Sequence, residues 1–165
     1  MMNSGQSDSV VLDTGPLIAI GWLDMFAVLH SLYPKPLIPN AVFVESQAGG
    51  GQAGSTAIAT AVEQQLLYVA PDPDRLPENV TLGQGELACI ALAQAQNLRV
   101  VLDDKKARYF AKSLQLPVLG TAGLLIHAKQ KGLIPMVTPL LHQLQDNGYY
   151  FSSTLLAKIK TATNE

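Results

Sequence analysis

A chain of 165 residues, 48% hydrophobic and 15% charged, is long enough for one domain with a sizeable core and too apolar to remain disordered. Its formal net charge of −2 excludes a partner held by bulk positive charge, so a polyanion would need a local basic patch or a metal ion. The single cysteine, Cys89, excludes an internal disulfide and suits a reducing cytoplasm.

Met1 to Ser9 is polar, lacks the pattern of a signal peptide and reads as a flexible tail. Val10-Val11-Leu12 is a short apolar run that predicts a buried strand ending at Asp13. Gly15-Pro16 breaks it, and a helix restarts over Leu17 to Ile20 with Pro16 in its first turn. The apolar run after Thr14 is interrupted by Gly15, Pro16 and Asp24, too broken to span a membrane. A second helix is predicted from Asp24 to Leu32, then a short strand at Leu37-Ile38 and a helix from Pro39 to about Gln47. Gly49 to Gly54 reads as a mobile loop. Helix follows from about Ser55 to Leu66, strand from Leu67 to Val69, and a proline- and aspartate-rich surface loop from Pro71 to Pro77. The helix predicted over Thr81 to Gln96 carries an apolar face of Leu82, Cys89, Ile90, Leu92 and Ala93. Then come a strand (Arg99 to Leu102), a helix (Asp104 to Leu114), a short strand (Pro117 to Leu119) and helices over Thr121 to Lys131 and Met136 to Gln145. Gly132 and Gly148 act as stop signals, and a last helix starts at Ser152 or Ser153.

Strands alternating with helices imply a parallel sheet covered on both faces, which binds ligands beyond the carboxyl ends of its strands. Two predicted strands end there in acid: Leu12-Asp13 and Leu102-Asp103-Asp104. Asp13 or Asp104 alone equally suits a helix cap. Glu86 sits in the first turn of its helix, counted from Gly83, three and four residues before Cys89 and Ile90, so it should point toward the core where the helix dipole tolerates an anion; an exposed first-turn Glu is the plainer alternative. Glu45 follows Ala41 and Val42 by four and three residues and shares their face; a solvated glutamate is the plainer alternative. Clustered carboxylates require a counterion, and oxygen-only donors suit Mg²⁺ or Mn²⁺, ions that activate water and neutralise phosphate. Hydrolysis of a phosphodiester follows as the expected chemistry.

These residues carry a resemblance. Val10 to Ile18 (Val-Val-Leu-Asp-Thr-Gly-Pro-Leu-Ile) resembles the opening strand and turn of PIN domains. Pro39-x-x-Val42-x-x-Glu45, Leu82-Gly-x-Gly-Glu86-x-x-x-Ile90-x-Leu92-Ala93 and Val101-Leu-Asp-Asp104-x-x-x-Arg108 resemble the family's next three motifs. Gly120-Thr121-x-Gly123-Leu124-Leu125 resembles a further motif of one bacterial and archaeal branch. The resemblance implies an α/β fold, a PIN-like three-layer sandwich whose central, mostly parallel sheet has helices on both faces. It places a nuclease domain over residues 10–148 and a C-terminal helical extension over 149–165. It further implies a metal-dependent ribonuclease, VapC-type toxins being common in the family, and hence an RNA substrate, an antitoxin partner and a homodimer. Asp13, Glu45, Glu86 and Asp104 would be the catalytic acids. The metal would be Mg²⁺ or Mn²⁺, held by Asp13, Glu86, Asp104 and, in support, Asp103. The third acid is Glu where Asp is more usual, and the fourth motif offers two acids.

Thr14 and Thr121 are candidates to hydrogen-bond the acids or a phosphate, beside ordinary turn and cap roles. Arg108 suits either an ion pair with Asp104 four residues before it or a substrate phosphate. With Lys105, Lys106 and Lys112 it forms the most basic helix, which also reads as a plain solvated face. His30, His127 and His142 show no metal-ligand spacing, and Cys89 reads as core. Trp22, Phe26, Leu29 and Tyr33 suit the core or a dimer face. Asp13-Thr14-Gly15 matches the aspartic-protease triplet, but Pro16 follows and the chain is helix-rich. A HAD-type phosphatase needs an acid at position 15, which is Gly, and no phosphate loop follows Gly83 and Gly85. A non-catalytic PIN-like module binding RNA or protein is the competing reading, with a flavodoxin-like binder behind it.

Overall fold

A computed structural model describes residues 9–48 and 53–165. Most of the predicted tail, and all but the end of the predicted glycine-rich loop, lie outside the described residues. The strands are β1 (Ser9–Leu12), β2 (Lys35–Pro39), β3 (Tyr68–Ala70), β4 (Arg99–Val101) and β5 (Val118–Leu119). They form one sheet in the order β3-β2-β1-β4-β5, and every pairing is parallel. Val10, Val11, Leu12, Val100 and Val101 are wholly buried, as a sheet packed on both faces demands.

The helices are α1 (Thr14–Trp22), α2 (Phe26–Leu32), α3 (Asn40–Gln47), α4 (Ala53–Glu63), α5 (Gln84–Gln96), α6 (Lys105–Ser113), α7 (Thr121–Gln130), α8 (Thr138–Asp146) and α9 (Ser153–Thr163). Several boundaries differ from the sequence pattern for local reasons. α2 starts at Phe26 rather than Asp24, because Asp24 adopts a left-handed conformation (φ 52°) that no helix continues through. α5 starts after Gly83, whose extended backbone (ψ 155°) makes it the N-cap, so Thr81 and Leu82 stay outside. It ends where Asn97 turns left-handed (φ 58°), a common way to close a helix. α4 begins at Ala53, inside the stretch read as loop, and ends before the left-handed Gln65.

The apolar side chains of the first two helices go into the core: Phe26, Leu29 and Tyr33 are buried, and Trp22 packs against the same cluster. Among the described residues no single helix is long and apolar enough to cross a membrane; α1 and α2 reach that composition only as a pair bent by 119°. α9 packs on α7. The Glu165 carboxylate accepts the N–H groups of Val137 (2.9 Å) and Thr138 (2.7 Å) at the start of α8 and pairs with Lys129 at 2.9 Å. The end of the chain is thereby tied to two helices.

One feature of the sheet decides where a ligand can sit. From β1 the chain moves outward through β2 to β3; from β4 it moves the other way, to β5. The reversal leaves a crevice beyond the carboxyl ends of β1 and β4, the place where open parallel sheets bind ligands.

Candidate active site

Asp13 follows β1 directly into that crevice. Its backbone N–H donates to the Val101 carbonyl at 3.1 Å and continues the ladder with β4. It occupies the N-cap position of α1, yet its side chain makes no cap hydrogen bond and is only 9% exposed. Burial drives its carboxyl from the ordinary 3.8 up to about 7, against a lowering backbone hydrogen bond from Thr14 and with further upward push from Glu86, Glu45 and Asp103. The acids of four separate segments therefore feel one another here.

Glu45 reaches the crevice from α3. It is exposed at the surface, but Thr14 Oγ1 donates to its Oε2 at 3.1 Å. Gly85, in the first turn of α5, is the point on which Glu45 and Asp13 close. A Cβ there would lie 2.6 Å from Glu45 Oε2 and 3.4 Å from Asp13 Oδ1. Glu86, beside it, is half-buried, and its Oε2 is buried with no hydrogen-bond partner. Burial raises its pKa, the charges of Asp104 and Glu45 raise it further, and a hydrogen bond from the Gly83 backbone opposes them. That bond is half of a capping box, the N3 acid reaching back to the N-cap.

After β4 the two acids part company. Asp104 caps α6, its Oδ2 accepting the Ala107 N–H at 2.9 Å. Asp103 turns toward the start of α7, where Thr121 donates twice: its N–H to Oδ1 at 2.8 Å and its Oγ1 to Oδ2 at 2.5 Å. The Tyr149 hydroxyl also donates to Asp103 Oδ2. Thr14 and Thr121 thus both bond acids, one of the two roles open to them. Arg108 forms no ion pair with Asp104; its Nη1 donates to the Leu102 carbonyl at 2.9 Å, because the guanidinium folds back under β4. Lys105, Lys106 and Lys112 are exposed.

Tyr149 is the contact that sequence reasoning did not find. It lies 46 residues from Asp103, outside every motif, in a segment read as an extension beyond the domain. Its ring packs on Phe151 at 5.2 Å, and burial, then the neighbouring Asp103 charge, pushes its hydroxyl well above the usual range. The histidines stay apart from the acids. His127 shares a hydrogen bond with Tyr33, which accepts from Arg99, and His142 is exposed. Cys89 is buried, and its thiol donates to the Leu12 carbonyl at 3.4 Å; burial holds that thiol well above its ordinary pKa.

Among the described residues no three His, Cys, Asp or Glu side chains stand as a ready-made metal cage. The chemistry of the crevice nevertheless fits a hard divalent cation. Its donors are carboxylate oxygens, Glu86 Oε2 is buried without a partner, and burial, with the neighbouring acids adding to it, holds the Asp13 carboxyl up at about 7. Mutual repulsion is what a cation between such groups would relieve.

A five-stranded parallel sheet ordered 3-2-1-4-5, with acids at the ends of β1 and β4 and on α3 and α5, defines an α/β domain with a carboxylate-lined crevice. A family model described as a PIN domain matches residues 9–165, and the chain belongs to that family. PIN domains are typically nucleases and generally use divalent metal ions. The matched span includes Tyr149 and α9. Among solved structures, the chain is similar to a PilT N-terminus domain protein of the archaeon Sulfolobus solfataricus P2, with 17% identity, a TM-score of 0.49, and coverage of 73% of this chain and 92% of that one. It is also similar to a domain of a functionally unknown protein from Methanocaldococcus jannaschii DSM 2661, with 15% identity, a TM-score of 0.48, and coverage of 68% and 89%. No curated protein matches.

Proposed function

We propose that the chain is a divalent-metal-dependent endoribonuclease whose acids are Asp13, Glu45, Glu86 and Asp104. The observation that carries this reading is the closure of Asp13 and Glu45 over Gly85, beside a Glu86 oxygen buried without a partner. Asp13, Glu86 and Asp104 would hold the ion. Mg²⁺ or Mn²⁺ supplies positive charge for the scissile phosphate and lowers the pKa of water. Glu45, exposed and held by the Thr14 hydroxyl, would take a proton from attacking water. Asp103 is a positioning residue: three donated hydrogen bonds tie it to α7 and to the C-terminal segment, which fixes the turn that carries Asp104. RNA as the substrate rests on the family resemblance of the motifs.

In this chemistry the water oxygen bonds to phosphorus, the P–O3′ bond breaks, and a proton goes to the leaving 3′ oxygen. The products carry a 5′-phosphate and a 3′-hydroxyl. End-group analysis of cleaved RNA tests this. A 5′-phosphate is expected; a 2′,3′-cyclic phosphate would mean attack by the ribose hydroxyl and overturn the assignment.

A further inference from the structure

A cavity of about 370 Å³ opens beside Asp103, between the start of α7 and the segment that leads into α9. Pockets that enclose small ligands run from about 300 to 1,000 Å³, so this one suits a single planar group rather than a duplex. Asp103, the Arg108 guanidinium and the Tyr149 hydroxyl that donates to Asp103 supply its polar end; Tyr150 and Phe151 add aromatic surface. Tyr150 is 83% exposed. The ring thus stands at the cavity with its face open to a ligand. Its neighbours Tyr149 and Phe151 pack on each other, which fixes the segment and turns Tyr150 outward.

The polar end is kept open by glycine. A Cβ at Gly120 would meet Arg108 Nη1 at 2.9 Å and Asp103 Oδ1 at 3.1 Å. The guanidinium is itself held in place by the Leu102 carbonyl, so its plane is preset. A fixed guanidinium and an exposed phenol ring are the groups on which unpaired bases stack. Asp103 forms the shared wall between this cavity and the acids, and it is next in the chain to Asp104.

We infer that the cavity receives the unstacked base of a single-stranded nucleotide flanking the scissile phosphate, with Tyr150 as the stacking face and Arg108 lining the polar end. The inference builds on the nuclease reading but has its own readout. Duplex RNA, whose bases cannot leave the stack without cost, should enter poorly.

The test is fluorescence anisotropy of the full chain with a labelled single-stranded RNA in EDTA, where nothing is cleaved. Tyr150→Ala is expected to weaken binding about tenfold, and Tyr150→Phe, which keeps the ring, to restore it. An oligonucleotide of the same length with abasic positions should bind wild type as weakly as the intact RNA binds Tyr150→Ala. Equal binding by wild type and Tyr150→Ala, or no binding to single-stranded RNA at all, would overturn the inference. Binding that depends on Tyr150 in a protein that never cleaves would instead refute the nuclease reading and leave the base pocket standing.

Discussion

Glu45 Oε2 stands 2.6 Å from the point where residue 85 would carry its Cβ if it were not glycine. The contact is closer than any side chain permits, and it brings an α3 acid onto the first turn of α5. Gly85→Ala separates the two demands on this residue. Alanine is the better helix former by about 1 kcal/mol. The clashing atom is the end of a flexible, exposed side chain, so the protein is expected to keep or slightly raise its Tm. Activity should fall by at least about tenfold, because Glu45 must leave its place by Asp13. Thermal melting read beside RNA cleavage checks both; a variant with full activity would contradict the contact's role.

Asp13 should make the metal-free protein less stable as pH rises. Its folded pKa of about 7 lies above the ordinary 3.8, so between these values the folded state holds a proton that the unfolded state has lost. Stability is therefore highest below the lower value and falls until pH passes the upper one; the loss is at most about 4 kcal/mol. Melting in EDTA should give a higher Tm near pH 5 than near pH 8. Asp13→Asn removes the charge and should flatten this slope. Added Mg²⁺ should stabilise wild type most at the alkaline end, where Asp13 is ionised.

Thr121→Val tests the fastening of Asp103. Thr121 is fully buried, and valine matches its shape but lacks the donor to Asp103 Oδ2. A loss of about 1–3 kcal/mol is expected, seen as a lower Tm. Combined with Tyr149→Phe, which removes the other donor to that oxygen, the loss should differ from the sum of the single losses, since the two share one acceptor.

Asp104 performs two jobs that substitutions can divide. Asn keeps the cap on α6, whereas Ala costs about 1 kcal/mol. If Asp104 is a working acid, both variants lose activity by about a hundredfold or more while only Ala lowers Tm. An Asp104→Asn enzyme with wild-type activity would shift the metal-binding role to Asp103.

Much of this was legible in the sequence because it follows from local rules. The short β-branched runs Val10-Val11-Leu12 and Val100-Val101-Leu102 read as buried strands, and strands of a parallel sheet deliver Asp13 and Asp103-Asp104 to one edge. Glu86 was legible from helical spacing, since its first-turn position follows from the residues after it. What stayed hidden depends on contacts between segments far apart in the chain. Tyr149 belongs to no periodic pattern, and its bond to Asp103 exists only once α7 and α8 have been packed. The partner of Arg108 was hidden for another reason. Helical spacing offered Asp104, but that carboxylate turns to the Ala107 N–H as the cap of α6, and Arg108 donates to the Leu102 carbonyl, a backbone acceptor that side-chain spacing does not reveal. The helical spacing of Trp22, Phe26, Leu29 and Tyr33 suited either the core or a dimer face, and Phe26, Leu29 and Tyr33 are buried in the core.

The most direct measurement of the central claim is cleavage of a mixed pool of structured and single-stranded RNAs by the purified chain. It is run with Mg²⁺, with Mn²⁺ and with EDTA, each beside Asp13→Asn. Cleavage is expected in wild type with either metal, and none with EDTA or in the variant. Cleavage that persists in EDTA, or that Asp13→Asn performs as well as wild type, would contradict a metal site built on Asp13.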